Sequence, residues 1–359
     1  MSKFPRTALV ILAVAVAASA VVAATSASVK KASATADICV LLPDSKSSVR
    51  WETQDRPRLA AAFKSLGDTY SIVNAEGSAQ TQLTQAQQCL TNGAKVILLV
   101  NLDSGSGAAI EKLAKSKGAQ SIDYDRLTLK GDSSYYVSFD NVKVGQLQGQ
   151  GLINCMNASG LIKQKPVIAE LNGAPTDNNA KLFAQGYNGV LKNIYANGTA
   201  IKGPNQSVPQ WDNQKALTIF QGMLTQTNNK INAVLAANDG LGNAAITALK
   251  SAGFKANTVP VTGQDATAQG IQTIISGWQC MTVYKAISAE ASAAATVADG
   301  VLKGKPINTK GKTVSNGVRN VPSVLANPVA LTKNNWTVVI TDHYLKKSDI
   351  CTGEYAQYC

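Results

Sequence analysis

Residues 167–183 read VIAELNGAPTDNNAKLF, and this stretch decides how the rest of the chain is interpreted. The apolar run Val167–Leu171 is typical of a buried strand, and the apolar residues from Leu182 onward recur at the spacing of a helix. Asp177 or Asn178 is placed to cap that helix. One cap needs one polar side chain, whereas this turn supplies three in a row. Because open α/β sheets bind ligands at the carboxyl ends of their strands, we expect the surplus to face a polar small molecule.

The first 36 residues have the pattern of a secretory signal peptide. Two cations precede a run of apolar and small residues from Ala8 to Ala24, and cleavage is expected either near Ala27 or after Ala36. A membrane anchor is the alternative, although the run is short for a spanning helix. We therefore expect a secreted protein in the periplasm or at the outer face of the cell membrane, with its folded part beginning near Asp37.

Export gives meaning to the cysteines, because disulfides persist in oxidising compartments. All six follow the expected signal peptide, and their even number suits disulfides: Cys39, Cys89, Cys155, Cys280, Cys351 and Cys359. Cys351 and Cys359 could close a small loop, but spacing alone leaves many connectivities open. His343 is the only histidine and no Cys-x-x-Cys pair occurs, so we expect no zinc site and no cofactor.

The net charge of +12 does not indicate a nucleic-acid partner. The expected signal peptide contains four cations and no acidic residue, so its removal leaves +8 (12 minus 4). The remaining lysines are scattered and form no basic block with interleaved aromatic residues. We therefore expect no binding to nucleic acid.

From Asp37 onward, short β-branched runs alternate with helical patterns, which predicts an α/β fold whose mainly parallel sheets have helices on both faces. A chain of 359 residues is long enough for two such doubly wound domains with a cleft between them. From Lys303 onward the chain is rich in Lys, Asn and Pro, and we expect it to wrap the surface. The predicted strands are Ile38–Leu42, Tyr70–Val73, Val96–Val100, Ser121–Tyr124, Tyr135–Phe139, Val167–Leu171, Ala233–Ala236, Val259–Thr262 and Cys280–Tyr284.

Polar side chains and tryptophans recur just after these strands or just before the next helix. They are Arg50, Trp51, Asp125, Arg126, Asp177, Asn178, Asn179, Trp211, Asn238, Asp239, Gln264, Asp265 and Lys285. Each hydroxyl of a polyol both donates and accepts hydrogen bonds, so carboxylates, amides and cations can pair with it. The apolar faces of a sugar ring pack on aromatic rings, which is the expected role of Trp51 and Trp211. One such Asp or Asn alone is more often a helix cap, but capping does not require recurrence at so many strand ends.

The chain after Asp37 resembles the periplasmic binding proteins of the ribose/galactose type, most strongly their D-xylose-binding members. The segments Asp177–Phe183 and Met281–Lys285 are specific to that likeness, whereas Asn-Asp and Gly-Gln-Asp are shared more widely. The six cysteines, the loop Ser45–Val49 and the tail Lys346–Cys359 depart from the family pattern. The segments that carry the resemblance are Arg50-Trp51, Tyr124–Arg126, Val137–Asn141, Asp177–Phe183, Trp211, Ala237–Asp239, Gly263–Ala266 and Met281–Lys285, with Ala61–Leu66 less strongly.

The resemblance implies two Rossmann-like, doubly wound parallel-sheet lobes joined by a three-crossover hinge. The N-terminal lobe would comprise residues 37–138 plus 286–321, and the C-terminal lobe residues 139–285 plus 322–359. Asn178 and Asp239 would cap helices or stiffen the site, with Asn178 the expected cap of its helix. Trp51 and Trp211 would sandwich the sugar ring, which would be hydrogen-bonded by Arg50, Asp125, Arg126, Asp177, Asn179, Asn238, Asp265 and Lys285.

The function implied is that of a monomeric solute-binding protein, not an enzyme, which captures a monosaccharide and delivers it to a membrane ABC permease. D-xylose is the first candidate, with ribose, arabinose, glucose and galactose as alternatives. A sensory role with a chemoreceptor or sensor kinase is compatible with the same residues.

Two other functions fit the residues less well. A glycosidase would need two carboxylates as acid and as nucleophile or base, but each carboxylate at these strand ends adjoins an Asn, Arg or Gln, as a fixed hydrogen-bonding partner would. A sugar-responsive repressor would need a helix-turn-helix where the signal peptide stands.

Overall fold

The computed structural model describes residues 36–359, so the expected signal peptide lies outside the described residues except for Ala36. The strands are β1 Ile38–Leu42, β2 Tyr70–Asn74, β3 Val96–Leu99, β4 Gln120–Tyr124, β5 Tyr135–Phe139, β6 Val167–Asn172, β7 Ile201–Ser207, β8 Ala233–Ala236, β9 Met281–Tyr284, β10 Thr313–Ser315, β11 Asn320–Ala326 and β12 Val329–Thr332. The helices are α1 Arg56–Leu66, α2 Ala79–Thr91, α3 Ser104–Ser116, α4 Asn141–Ala158, α5 Asn178–Ala196, α6 Asn213–Gln226, α7 Asp239–Ser251, α8 Ala268–Ile275, α9 Ile287–Leu302, α10 Val338–Thr341 and α11 Lys347–Ile350. Every predicted strand except Val259–Thr262 is confirmed to within one residue at each end.

The first sheet has the strand order β10-β11-β5-β4-β3-β1-β2. Strands β1 to β5 pair in parallel, β11 joins β5 in parallel, and β10 adds an antiparallel edge. In β1, Ile38, Val40 and Leu42 enter the core under α1 and α9, whereas Cys39 and Leu41 enter the core under α2 and α3. A strand covered on both faces needs apolar side chains at consecutive positions, which explains the unbroken apolar run.

The second half of the fold is built on the parallel strands β7-β6-β8. Two isolated bridges, Val234 to Val261 and Gln264 to Val283, continue this layer to the β9–β12 pair. The prediction of a strand at Val259–Thr262 is therefore wrong, because one bridging residue occupies that position. Pro260 has no N–H, so it cannot donate to a neighbouring strand. Its only backbone contribution to the pairing is its carbonyl, which accepts from the Val234 N–H at 2.9 Å.

Helices α4 and α5 approach closely on one face of this layer. A side chain at Gly145 would overlap the Phe183 carbonyl, and one at Gly186 would overlap the main chain of α4. The contact brings Asn141 of α4 against Asn179 in the first turn of α5, with the two side-chain amides hydrogen-bonded at 2.9 Å. The two glycines thus allow α4 and α5 to approach closely, and this contact fixes the position of the first turn of α5.

The expectation that the chain from Lys303 onward wraps the surface is wrong for much of that segment. β11 is inserted beside β5, β12 pairs with β9, and Val339 and Ile350 are buried in the second core. β7 was not predicted because IKGPNQS carries no apolar alternation and is mostly exposed. Its Pro204 is tolerated because β7 is an edge strand.

The chain passes between the two halves three times, after β5, after β9 and after β11. The third passage lies later than the expected lobe limit at residue 321, because Ser323–Ala326 pair with Tyr136–Phe139 of β5. The individual lobe limits stay a prediction.

Three disulfides link the six cysteines: Cys39–Cys89, Cys155–Cys280 and Cys351–Cys359. The expected small C-terminal loop is thus confirmed. The first disulfide ties β1 to α2, and the second ties α4 to the residue before β9. The longer two join elements far apart in sequence, by 50 and 125 residues.

We predict that replacing both Cys155 and Cys280 by Ser lowers the free energy of unfolding by at most about 5 kcal/mol, because the bridge closes a loop of 125 residues in the unfolded chain. Replacing Cys351 and Cys359, which close a loop of 8 residues, should cost about half as much on the same entropic argument. Urea unfolding followed by circular dichroism measures both. Equal losses would show that loop closure does not govern the effect.

Candidate ligand-binding site

The carboxyl ends of strands from both halves converge on one narrow cavity of about 30 Å³. All ten side chains predicted to bind ligand line this cavity, so the structure brings the whole predicted set together. Four residues that were not predicted to bind ligand also line it, namely Ser47, Ser48, Phe183 and Gln264, of which Gln264 had been noted among the polar strand ends. The predicted ten are Arg50, Trp51, Asp125, Arg126, Asp177, Asn179, Trp211, Asn238, Asp265 and Lys285.

Arg50 lies at the centre of the wall formed by the first half and is only 2% exposed. Its guanidinium makes ion pairs with Asp55 at 2.7 Å, with Asp125 at 2.9 Å and with Glu290 at 2.9 Å. Burial alone would raise the pKa of Asp125, but the charges of Arg50, Lys285 and Arg126 hold it below the ordinary value. Asp125 therefore faces the cavity as a carboxylate that accepts hydrogen bonds.

Two carboxylates of the second half face cations in the cavity. The Nε of Arg126 lies 3.2 Å from Asp177 Oδ2, which also accepts the indole N–H of Trp211 at 3.1 Å. The ammonium of Lys285 lies 3.1 Å from Asp265 Oδ1 and 3.7 Å from Asp125 Oδ2. Each buried carboxylate is thus balanced by a cation, as burial of charge requires.

Asp177, not Asn178, caps α5. Its Oδ1 accepts from the Asn179 N–H at 2.8 Å, so the expectation that Asn178 provides the cap is wrong. The two oxygens of Asp177 have different partners: Oδ1 caps the helix, while Oδ2 faces Arg126 and Trp211. Asn238 has a similar double role, capping α7 through Oδ1 and donating from Nδ2 to the Ser47 carbonyl at 3.4 Å.

Three of the predicted side chains project from strained backbone. The φ angles of Asp125, Trp211 and Asp265 are 61°, 56° and 95°, in the left-handed region that residues with a Cβ rarely adopt. Such outliers cluster at ligand sites because the surrounding structure holds them there. The Asp125 carbonyl, for example, accepts from Tyr136 at 2.8 Å and from Asn179 at 2.9 Å.

The two tryptophans are buried and held at their polar edges. The Trp51 indole donates to Ser47 Oγ at 3.0 Å, and the guanidinium of Arg50 lies 4.5 Å from its ring centre. Trp211 packs edge-on against Phe183 with ring centres 6.4 Å apart. Gly173 leaves room for its ring, since a Cβ there would overlap the indole. Both rings are therefore fixed rather than free to turn.

Comparison with known proteins agrees with this architecture. The family described as "Periplasmic binding protein domain" matches residues 38–306. The chain belongs to the periplasmic binding protein family. This membership and the two strand layers confirm the predicted doubly wound, two-lobed α/β fold.

This periplasmic binding protein is similar to several characterised relatives. It is 35% identical to the "D-xylose-binding periplasmic protein" of Escherichia coli over 84% of this chain and 88% of that protein. It is 31% identical to the "Multiple sugar-binding periplasmic receptor ChvE" of Rhizobium radiobacter over 85% and 89% of the two chains. An ABC transporter solute binding protein from Clostridium phytofermentans, solved with β-D-glucose, superposes with a TM-score of 0.79 at 29% identity over 87% of this chain and 99% of that chain.

Some polar residues of this periplasmic binding protein support the site without lining it. Asp239 is buried behind Asp265 and accepts from Thr282 at 2.7 Å and from Gln279 at 2.9 Å, while burial raises its pKa to about 7. Sequence reasoning missed Asp55 and Glu290, which balance Arg50. Neither follows a strand, so the pattern of polar strand ends carried no signal for them.

Within residues 36–359, no helix has the length and apolar character needed to cross a membrane. The same described residues contain no cluster of three or more His, Cys, Asp or Glu side chains suited to a metal ion.

We predict that Arg50→Met lowers the free energy of unfolding by about 3–5 kcal/mol, because three buried carboxylates lose their shared cation. Without the guanidinium, burial raises the pKa of Asp125 above its ordinary value and raises that of Glu290, which burial already lifts in the wild type, further still. The folded variant then binds more protons than the unfolded chain, so its deficit should grow as pH rises above about 4. Urea unfolding of variant and wild type between pH 5 and pH 8 measures the difference in their free energies of unfolding at each pH.

Arg56→Met is the matched control. Arg56 pairs with Glu52, but the two side chains are 33% and 36% exposed, so the variant should lose no more than about 1 kcal/mol. A similar loss in both variants would contradict the central role of the Arg50 cluster.

Proposed function

We propose that this chain captures a monosaccharide, D-xylose first, in the cavity between its lobes and delivers it to a membrane ABC permease. The observation that carries the proposal is the cavity itself, in which buried carboxylates, amides and cations from both halves face one another beside two indole rings. This set can pair with the donor and acceptor functions of several hydroxyls at once. The indoles offer apolar surface to the C–H faces of the ring.

Contacts across the cavity support a mechanism of lobe closure. Arg126 and Asp125 of the first half meet Asp177 and Asn179 of the second, at 3.2 Å for Arg126 Nε to Asp177 and 2.9 Å for Asn179 Nδ2 to the Asp125 carbonyl. A sugar bound between the residues of the first half and those of the second can contact all of them only when the halves are together. Binding would therefore favour the closed population. The three passages of the chain between the halves would form the hinge.

The space available favours a small ring. The cavity is narrow, about 30 Å³, so a sugar must separate the ion pairs that now fill it. A pentopyranose, which lacks the C6 hydroxymethyl group, needs less separation than a hexose. The similarity to a D-xylose-binding relative supports the same choice. Relatives named for multiple sugars and a structural neighbour holding glucose support ribose, arabinose, glucose or galactose as the alternative.

The arrangement of charges argues against a glycosidase. A general acid needs a carboxyl group whose pKa is raised so that it carries a proton near neutral pH. The pKa of Asp125 is held below its ordinary value, and Asp177 and Asp265 each face a cation. Asp239, whose pKa is raised, lies outside the cavity lining. We therefore propose a binding protein that performs no chemistry.

The proposed setting is the periplasm or the outer face of the membrane, reached through the signal peptide, with the protein acting as a monomer. Three disulfides suit an oxidising compartment. The same closed form could be presented to a chemoreceptor or sensor kinase.

Calorimetric titration with D-xylose, D-ribose, L-arabinose, D-glucose and D-galactose tests the ligand class. We expect D-xylose to bind most tightly, because the narrow cavity disfavours the extra hydroxymethyl group. Tighter binding of glucose than xylose would transfer the proposal to a hexose, and the absence of heat with every sugar would refute monosaccharide capture.

Trp211→Ala should weaken binding of the preferred sugar by about 2 kcal/mol or more, because a buried aromatic platform is lost. Trp336→Ala is the control, since Trp336 is half-buried and does not line the cavity. Unchanged affinity in Trp211→Ala, with the fold verified by circular dichroism, would remove the stacking role.

Asp265→Asn should cost about 1.5–3 kcal/mol of binding free energy, because a charge-assisted hydrogen bond is replaced by a neutral one. Asp103→Asn provides a comparison, since Asp103 caps α3 and does not line the cavity, and Asn is an equally good cap. Wild-type affinity in Asp265→Asn would place this carboxylate outside the set that holds the sugar.

A further inference from the structure

Tyr344, in the loop between α10 and α11, touches the supports of two cavity residues at once. It is 5% exposed, and its hydroxyl donates to the Asp265 carbonyl at 2.9 Å. Its ring packs edge-on against Tyr284, with centres 5.0 Å apart. Tyr284 directly precedes Lys285, which is the ion-pair partner of Asp265 in the cavity. Tyr344 itself does not line the cavity.

Asp265 needs such support because its backbone is strained. With φ at 95°, the residue is held in a region that is unfavourable for any side chain with a Cβ. Its N–H donates to the Val283 carbonyl at 2.9 Å, and its carbonyl receives the Tyr344 hydroxyl. Without the second bond, the peptide that follows Asp265 would be held only through the Ala266 N–H, which donates to Thr282 Oγ1 at 3.3 Å.

The loop that carries Tyr344 belongs to the second half. Val339 before it and Ile350 after it are buried in the second core. The Gln272 amide of α8 donates to the Ile350 carbonyl at 3.0 Å. The segment is therefore anchored on the same body as Asp265.

Residues of the first half also hydrogen-bond the same loop. Gln54 Nε2 donates to the Tyr344 carbonyl at 3.0 Å, and Arg58 donates to the His343 carbonyl at 2.9 Å. The Arg58 guanidinium lies 5.6 Å from the centre of the Tyr344 ring. Gln54 stands on the short helix Trp51–Asp55 that carries the first-half indole. A single residue thus joins the supports of the ligand-facing side chains on both sides of the cavity.

We propose that Tyr344 is a positioning residue for ligand binding and couples closure of the halves to the placement of Asp265 and Lys285. The inference rests on the proposed function, because it assigns a part in sugar binding to a residue outside the cavity. In the closed arrangement Gln54 and Arg58 hold the loop, and the loop holds the strained peptide at Asp265. When the halves separate, the hydrogen bonds from Gln54 and Arg58 to the loop are lost, and the loop supports Asp265 less firmly.

Stopped-flow binding of D-xylose, followed by tryptophan fluorescence, to Tyr344→Phe tests the inference, with D-glucose as a second probe. Phenylalanine keeps the ring and removes one buried hydrogen bond, so we expect the dissociation rate to rise roughly three- to tenfold. The association rate should change little, because encounter occurs before the halves close. Gln54→Met, which keeps the shape and removes the donor to the loop, should shift the dissociation rate in the same direction.

Tyr195→Phe is the matched control, because its hydroxyl donates to Glu170 at 3.3 Å in the second half, away from the cavity. Urea unfolding of each variant separates a general loss of stability from an effect on the site. A role in packing alone would lower stability without changing dissociation. Unchanged dissociation in both Tyr344→Phe and Gln54→Met would overturn the inference.

Hydrogen exchange without sugar separates this inference from the proposed function. In Tyr344→Phe, exchange should quicken in residues 263–266, because the hydroxyl bond to the Asp265 carbonyl lies within the second half and does not need closure. Tyr195→Phe should leave these residues as in the wild type. If no sugar binds to the wild type, the proposed function fails, but quicker exchange in residues 263–266 still supports the placement of Asp265 by Tyr344. Unchanged exchange in Tyr344→Phe would reject that placement whichever ligand the cavity takes.

Discussion

The cavity depends on one buried cation shared by three carboxylates. Arg50 joins the short helix Trp51–Asp55, the end of β4 at Asp125 and helix α9 at Glu290. Tyr124 adds a hydrogen bond to Asp55 at 2.7 Å. Burying so many charges is costly unless each has a partner with good geometry. The cluster therefore fixes the relative positions of three elements that are far apart in sequence.

That fixed wall makes it possible to hold strained backbone on the cavity side. Asp125 keeps a left-handed conformation because its carbonyl accepts from Tyr136, Ser138 and Asn179. Asn179 belongs to the second half, so one carbonyl both stabilises the strain and links the two halves. A receptor built in this way has already ordered its ligand-facing groups, and less conformational entropy is lost on binding.

The C-terminal segment has a larger part in this arrangement than its composition indicates. β11 lies beside β5 in the first sheet, β12 pairs with β9, and the loop with Tyr344 spans the two halves. The Cys351–Cys359 disulfide closes the end of the same segment. Lys, Asn and Pro are frequent from Lys303 onward, so the composition predicted a surface segment where the structure has strands of both sheets and the loop with Tyr344.

The strand–helix alternation follows from the amino-acid sequence alone, because a strand covered on both faces needs an unbroken apolar run such as that of β1. The ten cavity residues were also predicted before the structure, because polar side chains recur at the carboxyl ends of parallel strands and the resemblance to the periplasmic binding proteins selects among them. Three other roles become visible only in the folded chain. Asp177 rather than Asn178 caps α5. Asp55 and Glu290 balance Arg50, and Tyr344 supports Asp265. These roles arise from contacts between elements that are distant in the chain. The local spacing of residues does not indicate which distant groups will balance a charge or hold a strained peptide.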